Sequence, residues 1–386
     1  MYRIFFTLTF VLLGALSASH GAEFPDKQTI RGIWIVRHWL TSPARIDSVM
    51  ALCRHLGFTD LFVQIRGRGD AYYNSQYEPR AKEIKDPEFD PLEYLLSQAA
   101  NDHLRIHAWL NVFYIWSKDT LPSDSLHIVH RRTDWLARSV HQPDVLIDYP
   151  HAMKIARLEG LYVSPLHQEA QEHFINIVLD IIHHYPVSGI HLDYIRYPDQ
   201  RFDIHPQVVR GFKRRYILDP QQFLVHPEIF AQKFSISGYE VFYDRWRKYL
   251  MNGLSDFVKR ISQTIRAENE QIFLSAAVKP DIIEAHWRYY QDWDRWLKER
   301  WLDFAVPMNY ANDSKVFHQR IDQYLDRFED DPYIVGISLY NQDEQLVIRK
   351  IAQVMTLEQP GFVLFSFDQL PKMKRLQQYL KKMVGN

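Results

Sequence analysis

One short run, Gly189 to Pro198, gathers His191 and Asp193 two residues apart and follows them at once with Tyr194, Arg196 and Tyr197. Residues two apart on a strand share a face, so this run presents an imidazole and a carboxylate side by side. A carboxylate in an apolar setting is a general-acid candidate, because desolvation raises its pKa toward neutrality. The competing reading of Asp193 is a structural carboxylate paired with Arg196 or Arg66. Asp70, after Arg66-Gly67-Arg68-Gly69, is a second candidate, and its plainer reading is a loop aspartate bridging Arg66 or Arg68. Asp368, at the end of the last apolar run, is the third. Lys279, just before Pro280-Asp281, is placed to hold a substrate hydroxyl, to depress a neighbouring carboxylate's pKa, or simply to ion-pair. Metal chemistry would use His191-x-Asp193, with His107 joining from across a barrel. Against it, no His-x-His or Cys cluster occurs, and the 18 His are scattered. Nucleophile-elbow, phosphate-loop and dinucleotide fingerprints are absent, so the reading takes no metal and no cofactor.

Eight strands are predicted to position these groups: Gly32 to Arg37, Thr59 to Arg66, Arg105 to Phe113, Val187 to Ile195, Gln271 to Lys279, Leu302 to Tyr310, Tyr333 to Tyr340 and Phe362 to Asp368. They alternate with helical patterns, and eight is the count that closes a (β/α)8 TIM barrel. Helix starts are signalled by Ser42-Pro43, by Asp90-Pro91 with Glu93, and by Ser164-Pro165. Two connections are long, Tyr114 to Val163 after strand 3 and Pro198 to Gly238 after strand 4, and both lie on the face where βα loops build active sites. Period two separates the polar set of each strand from its apolar set. It points Gln64 and Arg66, His107, Trp109 and Asn111, His191 and Asp193, Ser275 and Lys279, Ser338 and Tyr340, and Ser366 and Asp368 into the barrel. With Arg196, Asn309 and Tyr310 added from the strand ends, Arg66, His107, Trp109, Asn111, His191, Lys279 and Tyr340 are the expected substrate-binding residues. Trp109, Tyr310 and Tyr340, with Trp34 as a further possibility, are the flat faces that would stack on sugar rings.

The chain has 46 Lys+Arg against 47 Asp+Glu, so it carries no basic field for nucleic acid. Its 46% hydrophobic content is that of a folded, core-rich protein. Met1 to Arg3, the apolar Ile4 to Leu16 and the small residues Ser17 to Ser19 read as a secretory signal peptide, residues 1–22, cleaved between about Ala18 and about Ala22. No Cys follows the apolar run, so no lipid anchor is expected, and the mature protein is read as secreted or periplasmic without membrane insertion. Residues 28–384 are read as one catalytic domain of undetermined oligomeric state. The single Cys53 falls on the apolar face Ile46, Val49, Met50, Cys53 and reads as a buried small hydrophobe.

The runs RGIWI (Arg31 to Ile35), FVQIRGRGDAYYNS (Phe62 to Ser75), HAWLNVF (His107 to Phe113), LYVSPLHQEAQEH (Leu161 to His173) and GIHLDYIRYP (Gly189 to Pro198) resemble the bacterial glycosyl-hydrolase-like family 10. So do LSAAVKP (Leu274 to Pro280), QDWDRWL (Gln291 to Leu297), LDFAVPMNY (Leu302 to Tyr310) and VGISLY (Val335 to Tyr340), in family order over nearly the whole mature chain. The resemblance implies a TIM-barrel glycosidase of the cell envelope, similar to exported members that cut peptidoglycan glycan strands lacking stem peptides. It makes Asp193 the catalytic-type carboxylate, completed by Arg196 and Tyr197, and matches Asp70 to the aspartate after the second strand. Many members carry a second Asp where Tyr194 stands here. No Glu ends strands four and seven, so a retaining pair about 5 Å apart is not visible. Three mechanisms stay open: Asp193 with Asp70 or Asp368 as an inverting pair, a substrate N-acetyl nucleophile with Tyr310 holding the acetamide, or a barrel that binds glycan without turnover. A metal-dependent polysaccharide deacetylase is the remaining alternative.

Overall fold

The computed structural model describes residues 29–100, 102–141, 158–328, 333–357 and 360–384. Eight parallel strands form the ring: β1 (Ile30–Ile35), β2 (Asp60–Arg66), β3 (Arg105–Asn111), β4 (Gly189–Asp193), β5 (Phe273–Val278), β6 (Phe304–Pro307), β7 (Tyr333–Ser338) and β8 (Pro360–Phe365). They pair in the order β6-β5-β4-β3-β2-β1-β8-β7, and the parallel Met308–Gly336 bridge joins the end of β6 to β7 and nearly closes the barrel. Each predicted strand overlaps one of these.

Alternation sorts the side chains into two cores. Ile33, Ile35, Leu61, Val63, Ile106, Ala108, Leu110, Ile190 and Leu192 pack outward against the helices. Trp34, Phe62, Trp109, Phe273, Phe304 and Val306 pack inward. The inner core is thus aromatic, and His107 stacks on Phe62 with ring centroids 4.5 Å apart. Gly189 makes room for that imidazole, since a Cβ there would stand 2.4 Å from His107 Nδ1. At the amino end of the barrel Asp60 accepts from Arg105 Nε and His107 Nε2 at 2.7 and 2.9 Å. Burial would raise the Asp60 carboxyl, but these donors outweigh it and hold it down at about 2.

The helices that position the site are α1 (Pro43–His55), α2 (Pro91–Ala99), α3 (Gln168–His184), α4 (Ile236–Glu268), α5 (Ile282–Tyr289) and α6 (Ser314–Leu325). Asp90 caps α2 by accepting from the N–H groups of Leu92 and Glu93, as the capping-box pattern predicts. Ser164-Pro165 does not open α3. The His167 N–H donates to the Ser164 carbonyl to form a turn, and the helix starts at Gln168. The connection after β3 carries a two-stranded antiparallel pair, Tyr114–Trp116 with Leu161–Tyr162. The connection after β4 is helical, with Pro206–Tyr216, Pro220–Val225 and Pro227–Phe234 leading into α4. Proline opens each of the three, where its missing N–H costs nothing. The expected signal peptide, residues 1–22, lies outside the described residues, and among those that are described no helix is long and apolar enough to cross a membrane.

Candidate active site

At the carboxyl ends of the strands the barrel opens into a cavity of about 740 Å³. Trp34, Trp109, Asn111, Asp193, Arg196, Lys279, Tyr310 and Tyr340 line it. Asp193 ends β4. Its Oδ1 accepts from the Tyr194 N–H at 2.7 Å and its Oδ2 from Trp109 Nε1 at 3.2 Å. The first of these bonds is made possible by the left-handed turn at Tyr194, with φ of 51°, a conformation that costs a non-glycine residue about 1–2 kcal/mol. Burial pushes the Asp193 carboxyl up to about 6, against the partial opposition of the Tyr194 N–H and the Arg196 charge.

Arg196 does not tie up Asp193. Its guanidinium lies between the rings of Tyr194 and Tyr289, 4.7 and 4.8 Å from their centroids. It donates to Glu159 at 2.6 Å. Tyr162 Oη donates to the same carboxylate at 2.8 Å. Burial works against ionised Glu159, but Arg196, Tyr162 and Lys279 outweigh it and hold the carboxyl below its usual range. Two carboxylates of one cavity are therefore driven in opposite directions. Lys279 packs over Tyr289, 4.4 Å from its centroid, and burial with the Arg196 charge lowers its ammonium to about 8.

His191 and His107 do not reach the cavity; they form its foundations. Trp34 Nε1 donates to His191 Nε2 at 3.1 Å, and His191 Nδ1 lies 2.9 Å from Ser275 Oγ. Indole can only donate, so His191 carries its proton on Nδ1 and donates to Ser275. Burial drives its pKa well below the usual value, which keeps it neutral. His191 thereby fixes the ring of Trp34 beneath the substrate space.

Four expected site residues stand elsewhere. Arg66 faces the helices: it pairs with Glu78 at 2.5 Å and sits 5.8 Å over the Phe174 ring of α3. The β2–β3 register shifts between Gln64 and Arg66, so the alternation slips by one residue just before the strand ends. Asn309 is fully buried behind the wall, where its Nδ2 donates to the Phe317 carbonyl at 3.1 Å. Asp70 lies in a separate recess of about 90 Å³ with Arg68, Trp116 and His127. Its carboxylate accepts from the Arg68 N–H at 2.8 Å. Asp368 accepts from His38 Nε2, Trp39 Nε1 and Ser366 Oγ at 2.5, 2.9 and 2.8 Å. Burial would raise it, but these donors bring it down to about 2. Neither of these two aspartates lines the cavity that holds Asp193.

The residues that sequence reasoning missed are Glu159, Arg37, Glu284 and Arg320, all on the cavity wall. Arg37 follows β1 directly, and a cation at the carboxyl end of a barrel strand was a usable signal. Glu159 sits in a connection without periodicity, and only the pairing of Leu161–Tyr162 brings it to the mouth. His107, His191 and Asp193 do not assemble as metal ligands, because each imidazole is already engaged by the barrel. Among the described residues the group of three metal-type donors within 4.8 Å of one another is His286, Asp292 and Asp294. There Arg327 pairs with Asp294 at 2.5 Å.

A family model described as Glycosyl hydrolase-like 10 matches residues 29–357. Among curated relatives, glycosyl hydrolase YngK of Bacillus subtilis is 25% identical over 281 residues, which cover 66% of this chain and 46% of that protein. Glycosyl hydrolase DigH of Escherichia coli K12 is 22% identical over 342 residues, covering 74% of this chain and 66% of that one. The chain thus spans about half to two thirds of the length of these relatives. Among solved structures, the PgaB (BpsB) glycoside hydrolase domain of Bordetella bronchiseptica superposes with a TM-score of 0.66 at 13% identity, over 92% of this chain and 99% of that one. The catalytic domain of a Paenibacillus polymyxa beta-amylase does so with a TM-score of 0.57 at 11% identity, over 89% and 95%. At these identities the likeness is one of fold.

Proposed function

The chain belongs to the glycosyl hydrolase-like 10 family, and from that premise we propose that it is a secreted or periplasmic enzyme that hydrolyses amino-sugar glycan, peptide-free peptidoglycan strands in particular, with Asp193 as general acid. The observation that carries this reading is the setting of Asp193. It is a buried carboxyl at the catalytic end of a barrel, raised to about 6 and open to a cavity lined by aromatic rings. Such a group holds its proton in mildly acidic solution and can give it to a glycosidic oxygen.

Asp70 and Asp368 lie outside the cavity, which favours the substrate's own acetamide as nucleophile over an inverting pair. Asp193 donates its proton to the leaving oxygen as the C1–O bond breaks, and the acetamide oxygen closes on C1. Water then opens the cyclic intermediate while Asp193 takes a proton back. Ionised Glu159 holds Arg196 in an ion pair and so keeps that guanidinium off Asp193. The pairing of Arg196 with Glu159 also speaks against a barrel that only binds glycan, because it leaves Asp193 outside any arginine salt bridge. The test is digestion of purified sacculi, intact and amidase-treated, with products identified by mass. Saccharide fragments from the amidase-treated sample are expected. No fragments from either sample would refute the proposal.

A further inference from the structure

Four buried or largely buried guanidinium groups among the described residues are neutralised by carboxylates. Arg66 pairs with Glu78, Arg105 with Asp60, Arg196 with Glu159 and Arg266 with Asp303, at 2.5 to 2.7 Å. Two guanidiniums of the cavity wall are held in a different way. Arg37 Nη1 donates to the amide oxygen of Gln64 at 2.8 Å. Arg320 Nη1 donates to the amide oxygen of Asn309 at 3.2 Å. Both amides are themselves buried and fixed: Gln64 Nε2 donates to Asn111 Oδ1 at 3.3 Å, and Asn309 Nδ2 donates to a backbone carbonyl. An amide oxygen orients a guanidinium without cancelling its charge. Among the described residues neither arginine has a carboxylate partner, and neither does Lys279, the remaining cation of the wall besides Arg196. Glu284, the remaining wall carboxylate besides Asp193 and Glu159, is engaged by Arg288 at 3.2 Å.

We propose that Arg37 and Arg320, each held by a buried amide in place of a carboxylate, are each placed to bind a carboxylate carried on the substrate glycan. A guanidinium with one edge fixed presents its other N–H groups in the planar fork that fits a carboxylate. Gly67 is part of the arrangement, because a Cβ there would stand 2.5 Å from Arg37 Cδ. The inference rests on the reading of the cavity as a glycan site and sharpens it. The cavity selects acidic sugars, whether the acid is the lactyl ether of a muramic residue freed of its peptide or the ring carboxylate of a uronic acid. An amide-linked peptide on the lactyl group removes the charge that the arginines read.

The test is titration calorimetry on the full chain at low and high salt with four tetrasaccharides. They are one of alternating N-acetylglucosamine and N-acetylmuramic acid, the same compound with its lactyl carboxylates amidated, chitotetraose, and one of alternating N-acetylglucosamine and glucuronic acid. The muramic tetrasaccharide is expected to bind about tenfold or more tighter than its amide, the usual worth of a hydrogen-bonded charge, with the ratio shrinking as salt rises. In the R37M/R320M variant the ratio should fall to about one, and Gly67→Ala, which displaces Arg37 without removing it, should reduce it. A ratio near one in the unaltered protein, or one unmoved in both variants, overturns the inference, as does failure of all four compounds to bind. Tighter binding of the glucuronic than of the muramic compound would assign the carboxylate to a uronic acid. Fragments from amidase-treated sacculi with a ratio near one would leave the hydrolase reading standing alone. A ratio that collapses in the variants without hydrolysis of any glycan would leave only the acidic-sugar site.

Discussion

Replacing Asp193 by Asn separates an acid from a structural carboxylate, because the two roles predict opposite behaviour with pH. The native carboxyl sits at about 6 against an ordinary 3.8. The folded protein therefore holds this proton longer than the unfolded chain does. The stability linked to it is fully present below about 4 and is lost as the pH rises through about 6, a difference of about 3 kcal/mol at about 1.36 kcal/mol per pH unit. Asn does not titrate. With its oxygen accepting from Tyr194, its NH2 faces Trp109 Nε1, which keeps its bond to Asn111 Oδ1 at 3.1 Å, so the change costs the one lost bond, about 1 kcal/mol. Below pH 4 the variant should accordingly be the less stable protein, and by pH 7 it should have caught up or passed the unaltered one. The stability difference between the two, from urea unfolding at each pH, should shift by about 3 kcal/mol in the variant's favour across that range. Turnover of glycan should fall by about 10²-fold or more, and an aryl glycoside with an acidic leaving group should lose less. In the unaltered enzyme activity should decline above pH 6, since only about one Asp193 in ten is protonated at pH 7. A variant that melts early at every pH while its surviving fraction keeps full turnover would refute the assignment.

Asp70→Asn and Asp368→Asn should retain most turnover on the same glycan, since both carboxylates are engaged outside the cavity; loss matching that of Asp193→Asn in either would reinstate an inverting pair. Activity should survive exhaustive chelation, because the imidazoles of His107 and His191 are committed to Asp60 and to Trp34 with Ser275. Complete loss with rescue by zinc, and release of acetate, would move the protein to the deacetylases. Asp368→Asn should also weaken the protein at neutral pH relative to acid. Its carboxyl is depressed, so the stability it lends is present above about 4 and fades as the pH falls toward 2, and a pH series of melting temperatures checks this. Exported protein should begin between about Ser19 and about Glu23 on N-terminal sequencing, the removed segment ending between about Ala18 and Ala22, and a mature chain starting at Met1 would contradict the signal peptide.

The barrel was legible because each strand is buried on two sides. Strands of that kind keep an aliphatic outer row, as Ile106, Ala108 and Leu110 do in β3, and whatever alternates with it must face the axis. That rule placed Trp109, Asn111, His191 and Asp193 without any knowledge of their neighbours. It failed where the backbone leaves the ladder. Arg66 lies past a register shift, so it does not obey the parity of its strand. Parity also says nothing of depth: His107 and His191 point inward but lie below the cavity, packed on Phe62. Glu159 was invisible for a further reason. A buried Arg196 demands a carboxylate, but nothing local to residue 159 says that it supplies one from a connection whose ends meet only in the folded chain.

Asp193, the proposed proton donor, and Glu159 are mounted on different pieces of the molecule. Asp193 is rooted in β4 and bonded from β3, within a barrel whose spacing is set by packed aromatic rings. Glu159 arrives on the strand pair Tyr114–Trp116 with Leu161–Tyr162, hung outside that ring and clipped back through Arg196. Such a division makes the wall exchangeable. A connection of different length or charge between residues 114 and 163 re-cuts one side of the cleft while the acid, its donors and the barrel beneath stay as they are. Transplanting that connection from a relative is the shortest route to a changed glycan range at unchanged proton chemistry.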